Sequence, residues 1–386
     1  MRTFEKTHPW ITFNVNLSKA SHKLWMALGE AQSKCEHIAG VPLHPEVNDL
    51  LHRVYLAKGV HATTAIEGNT LSEEQVHERL KGELSLPPSQ EYLGKEIDNI
   101  IRGCNEIARD IMNGGPTDIN VEGIKKFNAI VLEGLKLNED VIPGQIRQHS
   151  VGVAGYRGAP SEECEYLLER LCDWLNNEEF KQKDSLIAFG ILRAILAHIY
   201  LAWIHPFGDG NGRTARLIEF KILLAHGVPS PAAHLLSNHY NQTRSEYYRQ
   251  LDYSSKAKGD VIPFIEYAVQ GFIDGLKEQL KVVQGQQMRI MWRDFIYENF
   301  RNKSGASFDR KRKLILDIAD NLAIIPFKQI RHISPRIAEL YANKTDKAIR
   351  RDINVLIEMD LLKREPKGYR ARWEKLRAFL PERMVE

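Results

Sequence analysis

His205-Pro206-Phe207-Gly208-Asp209-Gly210-Asn211-Gly212-Arg213-Thr214-Ala215-Arg216 lies between two apolar helical patterns. From Asp184 onward, Leu186, Phe189, Leu192, Ile195, Leu196, Ile199 and Tyr200 recur at helical spacing with few charges between them. This predicts a helix buried at the centre of its domain and ended by Pro206. From Arg213 to His226 a second helix is expected, stopped by Gly227-Val228-Pro229. Gly210 and Gly212 permit backbone conformations closed to other residues, so amide N–H groups can converge on an anion. The helix that follows opens with unpaired N–H groups and a positive partial charge. Arg213 and Arg216, one turn apart, can lean toward the same anion. Asp209 offers one carboxylate, enough for a magnesium ion bridging two phosphates but not for an all-protein metal cage. His205, at the other lip, has an ordinary pKa of about 6.5 and can accept a proton at neutral pH. A helix–turn–helix corner would explain any one of these residues; all of them together point to a phosphate site.

Outward from this loop the chain is mostly helical. Leu93, Ile97, Ile100, Cys104, Ile107 and Ile111 form one apolar stripe with charges between them. Val151-Gly152-Val153-Ala154-Gly155-Tyr156-Arg157-Gly158-Ala159-Pro160 breaks the pattern and reads as a small β-hairpin, with Arg147 and Tyr156 as candidate supports. At 386 residues the chain fits two or three domains. No stretch approaches the roughly 20 uninterrupted apolar residues that span a bilayer, and the first residues do not read as a secretory signal. Cys35, Cys104, Cys164 and Cys172 have no metal-ligand spacing, which argues against structural zinc and for a reduced, cytoplasmic compartment without membrane attachment. The net charge of +3 is unevenly spread: residues 289–386 hold 23 Lys and Arg against 14 Asp and Glu. A mildly acidic body thus carries a basic tail suited to a polyanion, or simply a solvated basic surface. A linker is expected at Gln284–Gln287 or within 302–307.

The loop resembles the signature of the Fic family, HxFx(D/E)GNGRxxR, at every fixed position, and the likeness extends over about residues 40–270. The resemblance implies a mainly α fold: a Fic-type helical bundle with a small β-hairpin flap. It implies transfer of AMP from ATP, with Mg2+, to a Ser, Thr or Tyr hydroxyl of a protein, the chain itself included. His205 would be the general base and Asp209 the metal ligand. Phe207 would anchor the loop among nucleotide-binding residues Gly208, Gly210, Asn211 and Gly212, with Asn211 donating to the α-phosphate. Arg213 and Arg216 would serve the β- and γ-phosphates. Relatives of the Doc type that transfer phosphate carry lysine where this chain has Gly212, so the glycine favours AMP transfer.

Thr63-Thr64-Ala65-Ile66-Glu67-Gly68-Asn69 resembles the family's inhibitory motif, (S/T)xxxE(G/N). That resemblance pairs Glu67 with Arg216 in the place of the γ-phosphate, with Thr63 steadying Glu67 by a hydrogen bond. Glu67 can also be read as a solvated helix-end residue capped by Gly68, and its resemblance to some relatives implies a further role, aligning a water to remove AMP from modified targets. The hairpin occupies the place of the flap that pairs with an extended target segment. Tyr248 and Leu251, in the segment from Arg244 to Leu251, are candidates for adenine contact or a pair of core side chains. The division expected is 1–110, an N-terminal helical region with the inhibitory helix; 111–285, the catalytic domain; and 286–386, a winged helix.

In that last part Ser334-Pro335 opens a short helix through Tyr341. A second helix carries Ile349, Ile353, Leu356 and Ile357 inward and Lys347, Arg350 and Arg351 outward. Two strands follow around a tight turn, the order of a winged helix-turn-helix. Such a domain binds DNA or protein; a nucleotide-sensing DNA-binding regulator is therefore one alternative to the transferase, and a de-AMPylating hydrolase dependent on Glu67 is another. Oligomeric state is open, with a homodimer among the options.

Overall fold

Leu186–Ile204 is the helix around which the first part of the chain is organised, and nearly every side chain in it is buried. The computed structural model describes residues 2–153, 156–180, 186–321 and 323–376; Asp184, Ala154 and Gly155, singled out above, lie outside them. The chain divides into two compact units, Met1–Leu280 and Lys281–Glu386. Residues before 110 share one hydrophobic core with those after it and do not form a unit of their own.

By length and composition the core helix could cross a membrane, although Arg193 and His198 interrupt its apolar run; 89% of it is buried inside the molecule. Its apolar surface is spent on helix packing. Asn211–Ala225, the helix after the loop, packs along it, and Glu91–Met112 and Val121–Leu132 pack on Asn211–Ala225. In Glu91–Met112 the predicted stripe is the buried one: Leu93, Ile97, Ile100, Cys104 and Ile107 face the core. The long helix Pro45–Ala65 lies against Glu73–Lys81, Glu91–Met112 and Leu235–Gln242. Gly152–Val153 and Tyr156–Arg157 form an antiparallel pair.

Helix Ile262–Phe300 runs through Gln284–Gln287, so that polar tract is helical; the boundary between the two units falls just before it, after Leu280. Gln and Gly exposed on a helix look, in sequence, like a loop. In the second unit, Ala306–Asp320, Pro335–Tyr341 and Asp346–Glu358 close over a core of Ile315, Ile318, Ile337, Ile353 and Leu356. Ser334 caps Pro335–Tyr341 by accepting from the Ile337 amide. Leu362–Glu365 and Gly368–Ala371 pair antiparallel after Asp346–Glu358. Lys347, Arg350 and Arg351 are exposed on that helix.

Candidate functional site

The loop 205–210 turns the chain from the core helix into Asn211–Ala225, and its geometry is fixed from several sides. Phe207 is buried and pairs with Ile146 in an isolated β-bridge. The Asn211 side chain clasps Phe207 at both ends: its Nδ2 donates to the Phe207 carbonyl (2.8 Å) and its Oδ1 accepts from the Phe207 amide (2.9 Å). A phosphate-donor role for Asn211 therefore requires its amide to serve two masters. Buried Asn128 donates to the Asp209 carbonyl (2.9 Å) and accepts from the Gly144 amide (3.0 Å). Gly210, at φ 75°, takes the left-handed conformation at the N-cap, and among the described residues no side chain caps the helix after it. The first N–H groups of a 15-residue helix are thus free of a side-chain acceptor, as an anion site needs. Gly212 has a different reason. It lies inside the helix, and an added Cβ would meet Oε1 of Glu67 at 2.1 Å.

Glu67 follows the end of Pro45–Ala65, in a turn closed by Gly68 at φ 101°. Its carboxylate accepts a charge-assisted bond from Arg216 Nη2. The same Nη2 donates to the Thr63 carbonyl (2.9 Å). Thr63 thus serves the site through its backbone, and among the described residues no hydrogen bond joins its hydroxyl to Glu67. Arg216 is buried, while the Glu67 side chain is 32% exposed. Burial would raise the carboxyl pKa, but the charge and hydrogen bond of Arg216 outweigh it and hold Glu67 below its ordinary range. Among the described residues, Nε and Nη1 of Arg216 have no partner. A buried cation with spare donors is half of an anion site.

Arg213 is engaged by two carboxylates, Glu96 at 2.7 Å and Asp209 at 3.2 Å. Glu96 also accepts from Asn69 (2.8 Å), whose Nδ2 reaches the Leu93 carbonyl as well (3.0 Å). The turn bearing Glu67 is therefore fastened to Glu91–Met112 and, through Glu96, to Arg213. Asp209 keeps a half-exposed side chain; Gly210 and Arg213 engage its Oδ1.

His205 has φ 51°, in the left-handed region that non-glycine residues rarely adopt. Arg147 Nε donates to its carbonyl (2.7 Å). Burial pushes the imidazole down to about 4, with Arg147 lowering it further and Glu67 and Asp209 opposing. At neutral pH it is the uncharged form, able to accept a proton.

Tyr248 and Leu251 are partly buried on helix Arg244–Lys256 and pack against the core. Tyr248 is close enough to Arg216 to influence its charge, and Arg244 sits over the Tyr248 ring at 5.9 Å. Below them lies a buried polar chain that sequence reasoning missed: His198 Nε2 bonds to the Tyr247 hydroxyl (2.9 Å), and the Tyr240 hydroxyl donates to Glu219 (3.0 Å). Also missed were Glu96, Asn69 and Asn128. An asparagine among Ile124, Phe127, Ile130 and Val131 was the one visible signal, since a buried amide needs partners.

Residues 118–223 match the model of the Fic/DOC family. The chain is 30% identical over 242 residues to protein adenylyltransferase fic-1 of Caenorhabditis briggsae, covering 60% of this chain and 44% of that one. Against protein adenylyltransferase fic-1 of Caenorhabditis elegans the identity is 29% over 250 residues, covering 61% and 46%. The chain thus spans less than half the length of these curated relatives. Among solved structures, Fic-1 (residues 134–508) from Caenorhabditis elegans aligns with a TM-score of 0.57 at 26% identity, over 68% of this chain and 73% of that one. A Fic family protein from Desulfovibrio desulfuricans G20 shares the fold over 89% and 95% of the chains, with a TM-score of 0.53 at 19% identity.

Proposed function

We propose, from the match of residues 118–223 to the Fic/DOC family model, that this chain transfers AMP from ATP to a protein hydroxyl and that Glu67 holds the reaction in check. The observation that carries the reading is the seating of Glu67 on Arg216, directly over Gly212 of the anion loop.

The triphosphate would lie on the uncapped N-terminus of Asn211–Ala225, with Arg213 and Arg216 on its outer phosphates. A target hydroxyl oxygen attacks the α-phosphorus in line, His205 takes the hydroxyl proton, and the bond to the β-phosphate breaks as pyrophosphate leaves. Preorganised amides and guanidinium groups meet the charge that develops. The half-exposed carboxylate of Asp209 fits a magnesium ion that keeps most of its waters and phosphate ligands, and it would hold that ion; when bound, the ion neutralises charge on the phosphates. Tyr248 and Leu251 would border the adenine. While Glu67 occupies Arg216, the γ-phosphate meets a carboxylate instead of a cation. Nucleotide can still enter, but in a pose unsuited to attack. The antiparallel pair at 152–157 would receive an extended target segment by strand addition, which reads backbone more than side chains.

Intact-mass spectrometry with Mg·ATP tests this. The Glu67→Gly variant should gain adenylyl units on itself or on an added protein, and Glu67→Gly combined with His205→Ala should not. Equal labelling by the two would overturn the reading.

The second unit favours a second, compatible activity. Lys347, Arg350 and Arg351 are exposed on Asp346–Glu358, and a basic two-stranded segment follows it. We read this as a winged helix whose basic helix enters a DNA groove. Salt-dependent binding to duplex DNA, lost in Arg350→Ala/Arg351→Ala, is expected; an absence of affinity at low salt would leave the unit as a protein-binding module.

A further inference from the structure

Arg147 is 4% exposed, and among the described residues every hydrogen bond its guanidinium makes is to a backbone carbonyl. Nε donates to His205 (2.7 Å), Nη1 to His149 (2.6 Å), and Nη2 to Ala159. Its own amide donates to the Pro206 carbonyl (3.0 Å). Among the described residues these acceptors belong to two places: the catalytic loop, at 205 and 206, and the feet of the strand pair Gly152–Val153 and Tyr156–Arg157, at 149 and 159. Burying a full charge on neutral acceptors is costly, and an apolar side chain would fill the same space without that cost. The arrangement makes sense if its product is alignment.

Two further contacts tie the same pieces together. Gly158, the residue after the second strand, packs so closely that an added Cβ would stand 2.8 Å from the His205 Cβ and 3.0 Å from Arg147 Nη2. The Tyr156 hydroxyl donates to the Trp203 carbonyl (3.0 Å), two residues before His205. On the outer side, His8 Nε2 bonds to the Arg157 carbonyl (2.9 Å).

We propose that Arg147 is a positioning residue that fastens the hairpin to the backbone of His205, so that a segment held on the hairpin meets the imidazole in one fixed register. The proposal rests on the AMP-transfer reading for its consequence in catalysis, but the junction itself is a property of the fold. A guanidinium spans three carbonyls in a plane; a lysine ammonium, a point donor on a flexible stem, does not. His205 holds its left-handed backbone because its carbonyl is gripped from the hairpin side.

The test has two arms. Hydrogen exchange on the full chain reads the junction without any activity. In Arg147→Met, amides of 146–153 and of 203–209 should lose protection together while the helices Glu91–Met112 and Asn211–Ala225 keep theirs; Arg147→Lys should recover little. In the Glu67→Gly background, Arg147→Met should lower the rate of AMP transfer about 100-fold, the scale set by a misplacement of roughly 1 Å, with ATP affinity by calorimetry unchanged within about twofold. Loss of protection in one segment alone, or across the whole unit, overturns the proposal. So does loss of ATP affinity in step with transfer, which marks a scaffold role. Should Arg147→Met misfold, Gly158→Ala probes the same junction from the other side. A Glu67→Gly parent that never transfers AMP, with coupled exchange intact, sinks the enzymatic reading and leaves the junction standing; an active parent with Arg147→Met unaffected does the reverse.

Discussion

Oε1 of Glu67 occupies the volume that a side chain at position 212 would fill, 2.1 Å from where a Cβ would stand. The carboxylate lies against Gly212 and engages Nη2 of Arg216, so on the proposed reading a phosphate must compete with Glu67 for that nitrogen. A hydrogen bond to a charged group contributes about 1.5–3 kcal/mol. Removing it in Glu67→Gly should raise the rate of AMP transfer by about 10- to 100-fold. Glu67→Gln, which keeps the shape and loses the charge, should fall between. Labelling with radioactive ATP measures both, and a Glu67→Gly rate equal to that of the parent contradicts the competition.

The burial of His205 sets the pH dependence. With its pKa lowered to about 4, chiefly by desolvation, the imidazole stays neutral down to acidic pH. The rate of Glu67→Gly should hold from about pH 8 down to about pH 5 and decline only in more acid solution, since loss of the Glu67 charge removes one of the effects that raise the His205 pKa. His205→Ala should lower it by about 10²- to 10⁴-fold while ATP still binds. A profile with its midpoint near the ordinary histidine value would show an imidazole exposed to water.

Stability should follow pH through another histidine. His234 is buried, and its pKa is pushed down to about 3, mainly by desolvation. The unfolded chain takes up this proton below about pH 6.5 while the folded chain does not. Its contribution is therefore present above that pH and is lost as the pH falls toward 3, with a slope on the order of 1 kcal/mol per pH unit. Denaturant unfolding between pH 7 and 4 should show a shallower slope in His234→Gln than in the parent.

In the second unit, Asp352 is fully buried and holds three elements together. Its carboxylate accepts from Arg310 Nε (2.8 Å) and the Tyr341 hydroxyl (2.9 Å), with Lys311 at 3.7 Å. Asp352→Ala leaves two cations facing an empty acceptor and should destabilise this unit by about 3–5 kcal/mol. The change should appear in full-length protein as an earlier unfolding transition, with Asp352→Asn milder. Coincident curves for parent and Asp352→Ala would rule this out.

Much of the site is visible in sequence because its parts are adjacent. Loop 205–216 holds its glycines, carboxylate, arginines and imidazole in one run, and the apolar stripe of Glu91–Met112 names its own buried face. What escapes is the contact made across the chain. Glu96 reads as one more acid on the polar side of a helix, yet it holds Arg213 from 117 positions away. Thr63 lies where its motif predicts but works through its carbonyl, a group every residue possesses. Gly212 looks like a conformational glycine beside Gly210; only the approach of Glu67 shows that it is a steric one. The tract Gln284–Gln287 reads as linker because helix interiors exposed to water need no apolar residue.

Gly59 lies one and a half turns before the end of Pro45–Ala65, and a Cβ there would stand 2.2 Å from the ring of His234. That helix is thus wedged against its neighbour with no slack for travel. A piston-like withdrawal would have to prise the wedge open, whereas a swing of the Glu67 side chain, or unwinding of the single turn beyond Ala65, leaves it intact. On the proposed reading, displacement of Glu67 from Arg216 is therefore expected as a local event at the helix tip and not as a movement of the whole helix.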